Sequence, residues 1–258
     1  MGRRDDDTQA RLDRDLKELK LLEIARSYRE VLDKAARKGT SMVEVLAILI
    51  GMEQAERQQR ALLRRLREAR LPKPKTVAEY DFSFPKRIPK AAILRLFDCD
   101  FIARHGCAVL IGPTGTGKTH LLTALGYTAA ERGYSVRHTH AVDMINHLTT
   151  AQINGLLGKA LKTYVRPSLL LLDELGYLPI DKRGADLLFQ VVAARYESGS
   201  IVLTTNRPFR EWGALLDVDN TLATALIDRL MHHGEAIVIQ GASYRMKDKD
   251  SDSTSTSA

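Results

Sequence analysis

Eight consecutive residues, Gly112-Pro113-Thr114-Gly115-Thr116-Gly117-Lys118-Thr119, carry the clearest chemistry in this 258-residue chain. They fit the P-loop pattern GxxxxGK[ST]. An apolar run at 108–111 precedes them and an apolar helical stretch begins at His120, which is the context the pattern requires. The glycines let backbone N–H groups turn inward around phosphate oxygens. Lys118 is placed to reach the β- and γ-phosphates, and Thr119 to offer a hydroxyl to Mg²⁺.

A second element complements the first. Residues 169–172 are four leucines, followed by Asp173 and Glu174. An apolar strand of this kind delivers Asp173 to the metal, and Glu174 can polarise an attacking water. Residues 201–205 form another apolar run, ending at Asn206. Asn206 can orient the same water, or it can simply open the Asn-Arg-Pro turn. Arg229 lies late in a helical stretch, beside Asp228. An arginine there can enter a neighbouring subunit's site and stabilise charge on a transferring phosphoryl group, or it can pair within its own chain.

These residues need a scaffold, and the pattern supplies one. Apolar runs at 108–111, 135–139, 169–173, 201–205 and 236–240 alternate with helical stretches. That predicts an α/β domain with a five-stranded parallel sheet. Ahead of it, leucines at helical spacing predict one helix over 11–38, ended by Gly39. A second is predicted from about 42 to 69, with Thr40 or Ser41 as its cap and Glu44 completing a capping box. The expected organisation is a helical N-terminal domain at 1–70, a linker at 71–90, the nucleotide domain at 91–246 and a disordered tail at 247–258.

Charge is unevenly spread. The net charge is +7, and nearly all of the excess falls in 57–75, with Arg57, Arg60, Arg64, Arg65, Arg67, Arg70, Lys73 and Lys75. Arg57, Arg60, Arg64 and Arg67 recur at three- and four-residue spacing. Such a row can follow a nucleic-acid backbone without reading bases, or it can be a solvated helix face. The two cysteines, Cys99 and Cys107, exclude a disulfide scaffold and fit a reducing cytoplasm. His138, His140, His232 and His233 have no matching metal-ligand set in the sequence, so structural or surface roles are expected of them. No apolar stretch approaches the ~20 residues of a membrane span, so no membrane partner is expected.

The motifs Gly-Pro-Thr-Gly-Thr-Gly-Lys-Thr, Leu-Leu-Asp-Glu-Leu-Gly-Tyr, Leu-Thr-Thr-Asn-Arg-Pro-Phe, Leu-Ile-Asp-Arg-Leu and Gly-Ala-Ser-Tyr-Arg occur in this order. The set resembles the IstB-like transposition helper ATPases, AAA+ proteins related to the DnaC helicase loaders. The resemblance spans nearly the whole chain. It implies ATP with Mg²⁺ as the bound pair and ATP hydrolysis as the reaction. It makes Lys118 and Thr119 the Walker A residues, with His120 alongside, and Asp173 and Glu174 the Walker B pair. Asn206 matches sensor 1, Arg229 a trans-acting arginine finger, and Arg245 a second γ-phosphate sensor. Only thirteen residues follow Arg245, so no separate helical lid is expected. Residues 142–166 resemble the helical insertion that loader-type ATPases turn toward DNA, where Lys159, Lys162 and Arg166 can contact phosphates or can form a solvated helix face.

The function implied is an ATP-dependent regulator of transposition. It would oligomerise on double-stranded DNA and deliver that target to a partner transposase. A DnaC-like helicase loader is the alternative. Residues 1–98 hold no Cys and no His, which removes the N-terminal zinc of some loaders. A metabolic ATPase or small-molecule kinase explains the P-loop but neither the basic row nor the Arg229 and Arg245 set.

Overall fold

The computed structural model describes residues 2–216 and 220–244. The chain divides into two compact units, 1–64 and 65–258. Arg245 and the tail at 247–258 lie outside the described residues, and with them the expectation that no lid follows.

The first unit is helical: α1 (Gly2–Glu18), α2 (Leu22–Lys38) and most of α3 (Met42–Ala69). The single helix expected over 11–38 is two helices. The chain breaks at Lys20, which takes a left-handed φ of 57°. Leu16, Tyr28, Ala35, Val45 and Leu49 form one buried cluster. In a straight helix, Leu16 and Tyr28 would stand roughly 18 Å apart, so the cluster requires the turn. Buried Glu53 of α3 fixes it, accepting from the backbone N–H groups of Glu23 and Ile24 at 2.8 and 3.3 Å. Burial alone would raise the Glu53 pKa, but Arg57 and those two N–H groups outweigh it and hold the carboxyl below its ordinary value. Gly39 ends α2 in the left-handed conformation, with φ 68°, where a Cβ would be strained. Ser41 Oγ accepts from the Glu44 N–H at 3.3 Å, as a cap does.

The second unit runs through α4 (Lys90–Phe97), α5 (Asp100–Ala103), β1 (Cys107–Ile111), α6 (Lys118–Glu131), β2 (Val136–His140), α7 (Ala141–Ile153) and α8 (Leu157–Val165). It continues with β3 (Leu169–Leu175), α9 (Lys182–Arg195), β4 (Ser200–Thr205), α10 (Trp212–Leu215), α11 (Asn220–Met231) and β5 (Gly234–Val238). The five strands form one parallel sheet in the order β2-β3-β4-β1-β5. β3 and β4 read as continuous apolar runs because both of their faces are covered. The fifth strand begins two residues earlier than its apolar run, at Gly234.

One buried side chain braces the sheet from below. Arg195, 1% exposed at the end of α9, donates to five carbonyls, those of Tyr164, Val165, Pro167, Ser168 and Ser200, at 2.7–3.1 Å. Burial pulls its pKa down to about 10.

Residues 71–90 pack within the second unit. The Thr76 N–H donates to Glu79 at 2.9 Å over a short 3₁₀ turn, Val77–Glu79. Tyr80 is buried, and its hydroxyl donates to the Thr116 carbonyl at 2.8 Å.

Candidate functional site

In a parallel sheet, loops gather at the carboxyl ends of the strands, and ligands bind there. Here Gly112–Thr119 follows β1, Asp173 and Glu174 end β3, and Thr204, Thr205 and Asn206 end β4. All of these border or lie beside one cavity of about 610 Å³, which Tyr80 and Tyr244 close from the flanks.

Gly115 and Gly117 both take left-handed φ angles, 82° and 84°. A Cβ at Gly117 would also collide with the ring of Tyr80, and one at Gly115 with Ser243. The loop therefore needs glycine twice over, for conformation and for space. Lys118 folds back on this loop, donating to the carbonyls of Gly112 and Pro113 at 2.7 Å each. Burial lowers its pKa, and the charges of Asp173 and Glu174 pull it back up. The Thr116 hydroxyl donates to the Pro113 carbonyl at 2.9 Å. His120 also lines the cavity, its Nε2 2.8 Å from the Thr76 carbonyl.

Asp173 is fully buried. Its Oδ1 accepts from Thr119 Oγ1 at 3.1 Å and from Thr204 Oγ1 at 2.5 Å. Its Oδ2 is buried with no hydrogen-bond partner among the described residues. An orphaned carboxylate oxygen beside a threonine hydroxyl suits a hard cation with oxygen ligands, so Thr119 and Asp173 fit Mg²⁺. The β3–β4 register shifts between Leu172 and Leu175, and Glu174 takes a φ of 59°. That irregularity turns Asp173 inward and leaves the Glu174 carboxylate half exposed at the cavity. The Glu174 N–H is held by Thr204 Oγ1 at 2.8 Å. His140 Nδ1 lies 3.6 Å from Glu174 Oε2.

The sequence reasoning missed Thr204, Tyr80 and His140. Thr204 had a weak signal, a hydroxyl at the carboxyl end of an apolar run. Tyr80 had none, because it lies in a proline- and lysine-rich stretch. Burial pushes the Tyr80 phenol up to about 12, so it stays a neutral donor.

Arg229 does not line this cavity. It donates to the Ala225 carbonyl at 3.1 Å, and its guanidinium stands over the Phe189 ring at 4.6 Å. Among the described residues it makes no ion pair with Asp228. Tyr244, the last described residue before Arg245, donates its N–H to the Gly115 carbonyl at 2.9 Å. In the basic row, Arg57 pairs with Glu53 at 2.8 Å, and Arg60 with Glu53 and Glu56 at 3.5 and 3.3 Å. Among the described residues, Arg64, Arg67, Lys159 and Lys162 make no ion pair. Cys99 and Cys107 are free thiols.

Comparison with known proteins agrees with this geometry. The family model described as IstB-like ATP binding protein matches residues 14–252. An ATP-binding protein of insertion sequence IS5376 from Geobacillus stearothermophilus is 37% identical over 88% of this chain and 90% of its own. One of insertion sequence IS21 from Pseudomonas aeruginosa is 37% identical over 91% of this chain and 88% of its own. Among solved structures, AMPPCP-bound DnaA from Aquifex aeolicus superposes with a TM-score of 0.55 at 22% identity, over 72% of this chain and 56% of that one. The DnaC helicase loader superposes with a TM-score of 0.51 at 22% identity, over 63% of this chain and 97% of that one. These two show a shared fold.

Proposed function

The chain belongs to the IstB-like ATP-binding proteins, and on that footing we propose that it hydrolyses ATP as a helper of DNA transposition, assembling on duplex DNA and presenting it to a partner transposase. The observation that carries the catalytic part is the carboxylate of Asp173, fixed by two threonine hydroxyls and left with one buried oxygen unsatisfied. Bound Mg²⁺, held there by Thr119 and Asp173, would offset charge on the phosphates. Lys118 would exchange its two loop carbonyls for β- and γ-phosphate oxygens. The loop N–H groups would bind the phosphates, and Glu174 would accept a proton from the attacking water. Asn206 lines the same cavity, and in this reading it would orient that water.

Arg229 lies outside this cavity, so a role for it at the phosphates needs a neighbouring copy of the chain. The transposition context rests on relatives named for insertion sequences. The helicase-loader alternative rests on a likeness of fold at 22% identity. No helix among the described residues is long and apolar enough to cross a membrane.

Two variants test the catalytic reading together. Lys118→Ala should lose ATP binding, measured with a fluorescent analogue, whereas Glu174→Gln should bind normally and not turn over. Wild-type turnover by Glu174→Gln would remove Glu174 from catalysis. Mixing Lys118→Ala with Arg229→Ala tests the trans role, because a shared site regains some turnover in mixed assemblies. Mixed assemblies that form and stay inactive would return Arg229 to its intrachain contacts.

A further inference from the structure

At the opposite end of the strands from the cavity, where β4 and β5 begin, two loops meet. One joins α9 to β4 and carries Glu197. The other joins α11 to β5 and carries His232 and His233. All three side chains are exposed, and one ligand atom from each lies within 4.8 Å of the other two. Among the described residues no other His, Cys, Asp or Glu cluster reaches this arrangement. We propose that Glu197, His232 and His233 bind a divalent zinc-type metal ion, distinct from the Mg²⁺ that the nucleotide site would hold.

The spacing is close to what coordination requires. Zinc holds imidazole nitrogen and carboxylate oxygen at about 2.0–2.1 Å in a tetrahedron, which sets two ligand atoms roughly 3.3 Å apart. His233 Nε2 and Glu197 Oε1 stand 3.6 Å apart. That is long for a hydrogen bond but within a few tenths of an ångström of a shared metal.

His232 is already oriented. Its Nδ1 lies 2.7 Å from the Tyr196 hydroxyl. With Nδ1–H donated to that oxygen, Nε2 presents its lone pair, as metal-bound histidines do through an outer partner. The backbones are fixed as well. The His232 N–H donates to the Asp228 carbonyl at 2.9 Å, and the His233 carbonyl accepts from the Cys107 N–H at 3.2 Å. Glu197 sits in a left-handed turn, φ 55°, between two bonds that return to the Val192 and Arg195 carbonyls.

The donor set chooses the metal. Two imidazoles and one carboxylate suit zinc, nickel or copper and disfavour Mg²⁺ and Ca²⁺, which prefer oxygen ligands throughout. Three protein ligands leave a fourth position for water or for a group from another molecule. The ion would tie the end of α9 to the end of α11, the helix that carries Arg229.

The test is zinc uptake by the full-length chain, free of any histidine tag, in competition with a chromophoric chelator and with Mg²⁺ in excess. The expected result is one zinc per chain, absent in His232→Ala and His233→Ala and weakened in the conservative Glu197→Gln. Tyr196→Phe should bind roughly 10- to 100-fold more weakly, through loss of the outer partner. Saturating zinc, about 100 times Kd, should raise the wild-type melting temperature by roughly 5–10 °C and leave His233→Ala unmoved. X-ray absorption should show two imidazoles and oxygen donors. Circular dichroism of the metal-free variants separates lost binding from lost folding, and Glu197→Gln keeps the test open if a histidine variant misfolds. No stoichiometric uptake by the wild type, or equal uptake by the wild type and both histidine variants, overturns the proposal.

Discussion

Thr204 offers a demanding test of how the site is built. Its Oγ1 does two things: it donates to Asp173 at 2.5 Å and accepts from the Glu174 N–H at 2.8 Å. The side chain is 1% exposed. Thr204→Val keeps the shape and removes both bonds, so no cavity confuses the result. The lost bond to a charged acceptor contributes about 1.5–3 kcal/mol, and a buried N–H left unpaired costs about 1–3 kcal/mol. The two overlap, and a total near 3–4 kcal/mol is expected. For a unit of 194 residues, each kcal/mol lowers the melting temperature by roughly 2–4 °C, so the fall should be about 6–16 °C. The measurement is calorimetric melting of the nucleotide-free chain, paired with ATP turnover. Turnover should drop as well, because the same hydroxyl aims the two acidic residues. Thr204→Ser, which keeps the oxygen, should recover most of both. A valine variant that melts within about 1 °C of wild type and turns over normally would refute the argument that this hydroxyl holds the acidic pair.

Three further predictions concern basic side chains. Arg195→Lys supplies three donors on one atom in place of the four N–H groups of Nη1 and Nη2, which serve the five carbonyls from a planar fork. At least two of the five carbonyls should lose their partner, which predicts destabilisation of about 2–6 kcal/mol by urea unfolding; a loss below about 1 kcal/mol would mean that water replaces the guanidinium without penalty. In the basic row, Arg64→Gln with Arg67→Gln should reduce the salt slope of log K on duplex DNA by about 1.8, at 0.9 per phosphate contact. Arg57→Gln should instead lower the melting temperature of the N-terminal unit, since it strips buried Glu53 of a partner, and an unchanged slope in the double variant would return the row to solvent.

What the sequence made legible was what is local. The P-loop, the acidic pair and the five apolar runs are contiguous, and each carries its own chemistry or periodicity. Contacts across the chain were hidden. Residues 71–90 look like a linker by composition, yet Tyr80 is buried against the loop it faces. The leucines of 11–38 keep helical spacing through Lys20, and only a cluster that brings Leu16 to Tyr28 shows why the helix must turn. Arg57 and Arg60 share a face with Arg64 and Arg67 by spacing, but Glu53, four residues before Arg57, pairs with both of them, and Glu56 pairs with Arg60. Glu197, the third ligand proposed beside His232 and His233, stands 35 positions before His232 and meets them only through the fold.

Strand order explains why Thr204 in particular was out of reach. The P-loop follows β1 and the acidic pair ends β3, but these strands are not neighbours. β4 runs between them, paired with β1 through Thr204 and Thr205 and with β3 up to Leu172 and again at Leu175. A polar residue at the end of β4 therefore sits between the phosphate loop and the metal-binding carboxylate. The pairing lapses between Leu172 and Leu175, where Asp173 and Glu174 lie. A side-chain hydroxyl on β4 can replace the missing ladder contacts there, and Thr204 does so with one oxygen. Had the sheet followed chain order, β2 would have occupied that place, and His140 would have bridged instead. It still approaches Glu174, at 3.6 Å, from the far side. The lateral order of parallel strands is set by how helices pack on both faces, not by any short stretch of sequence. The acidic pair can be read from six residues, while the group that positions it becomes visible only when the third and fourth strands lie side by side.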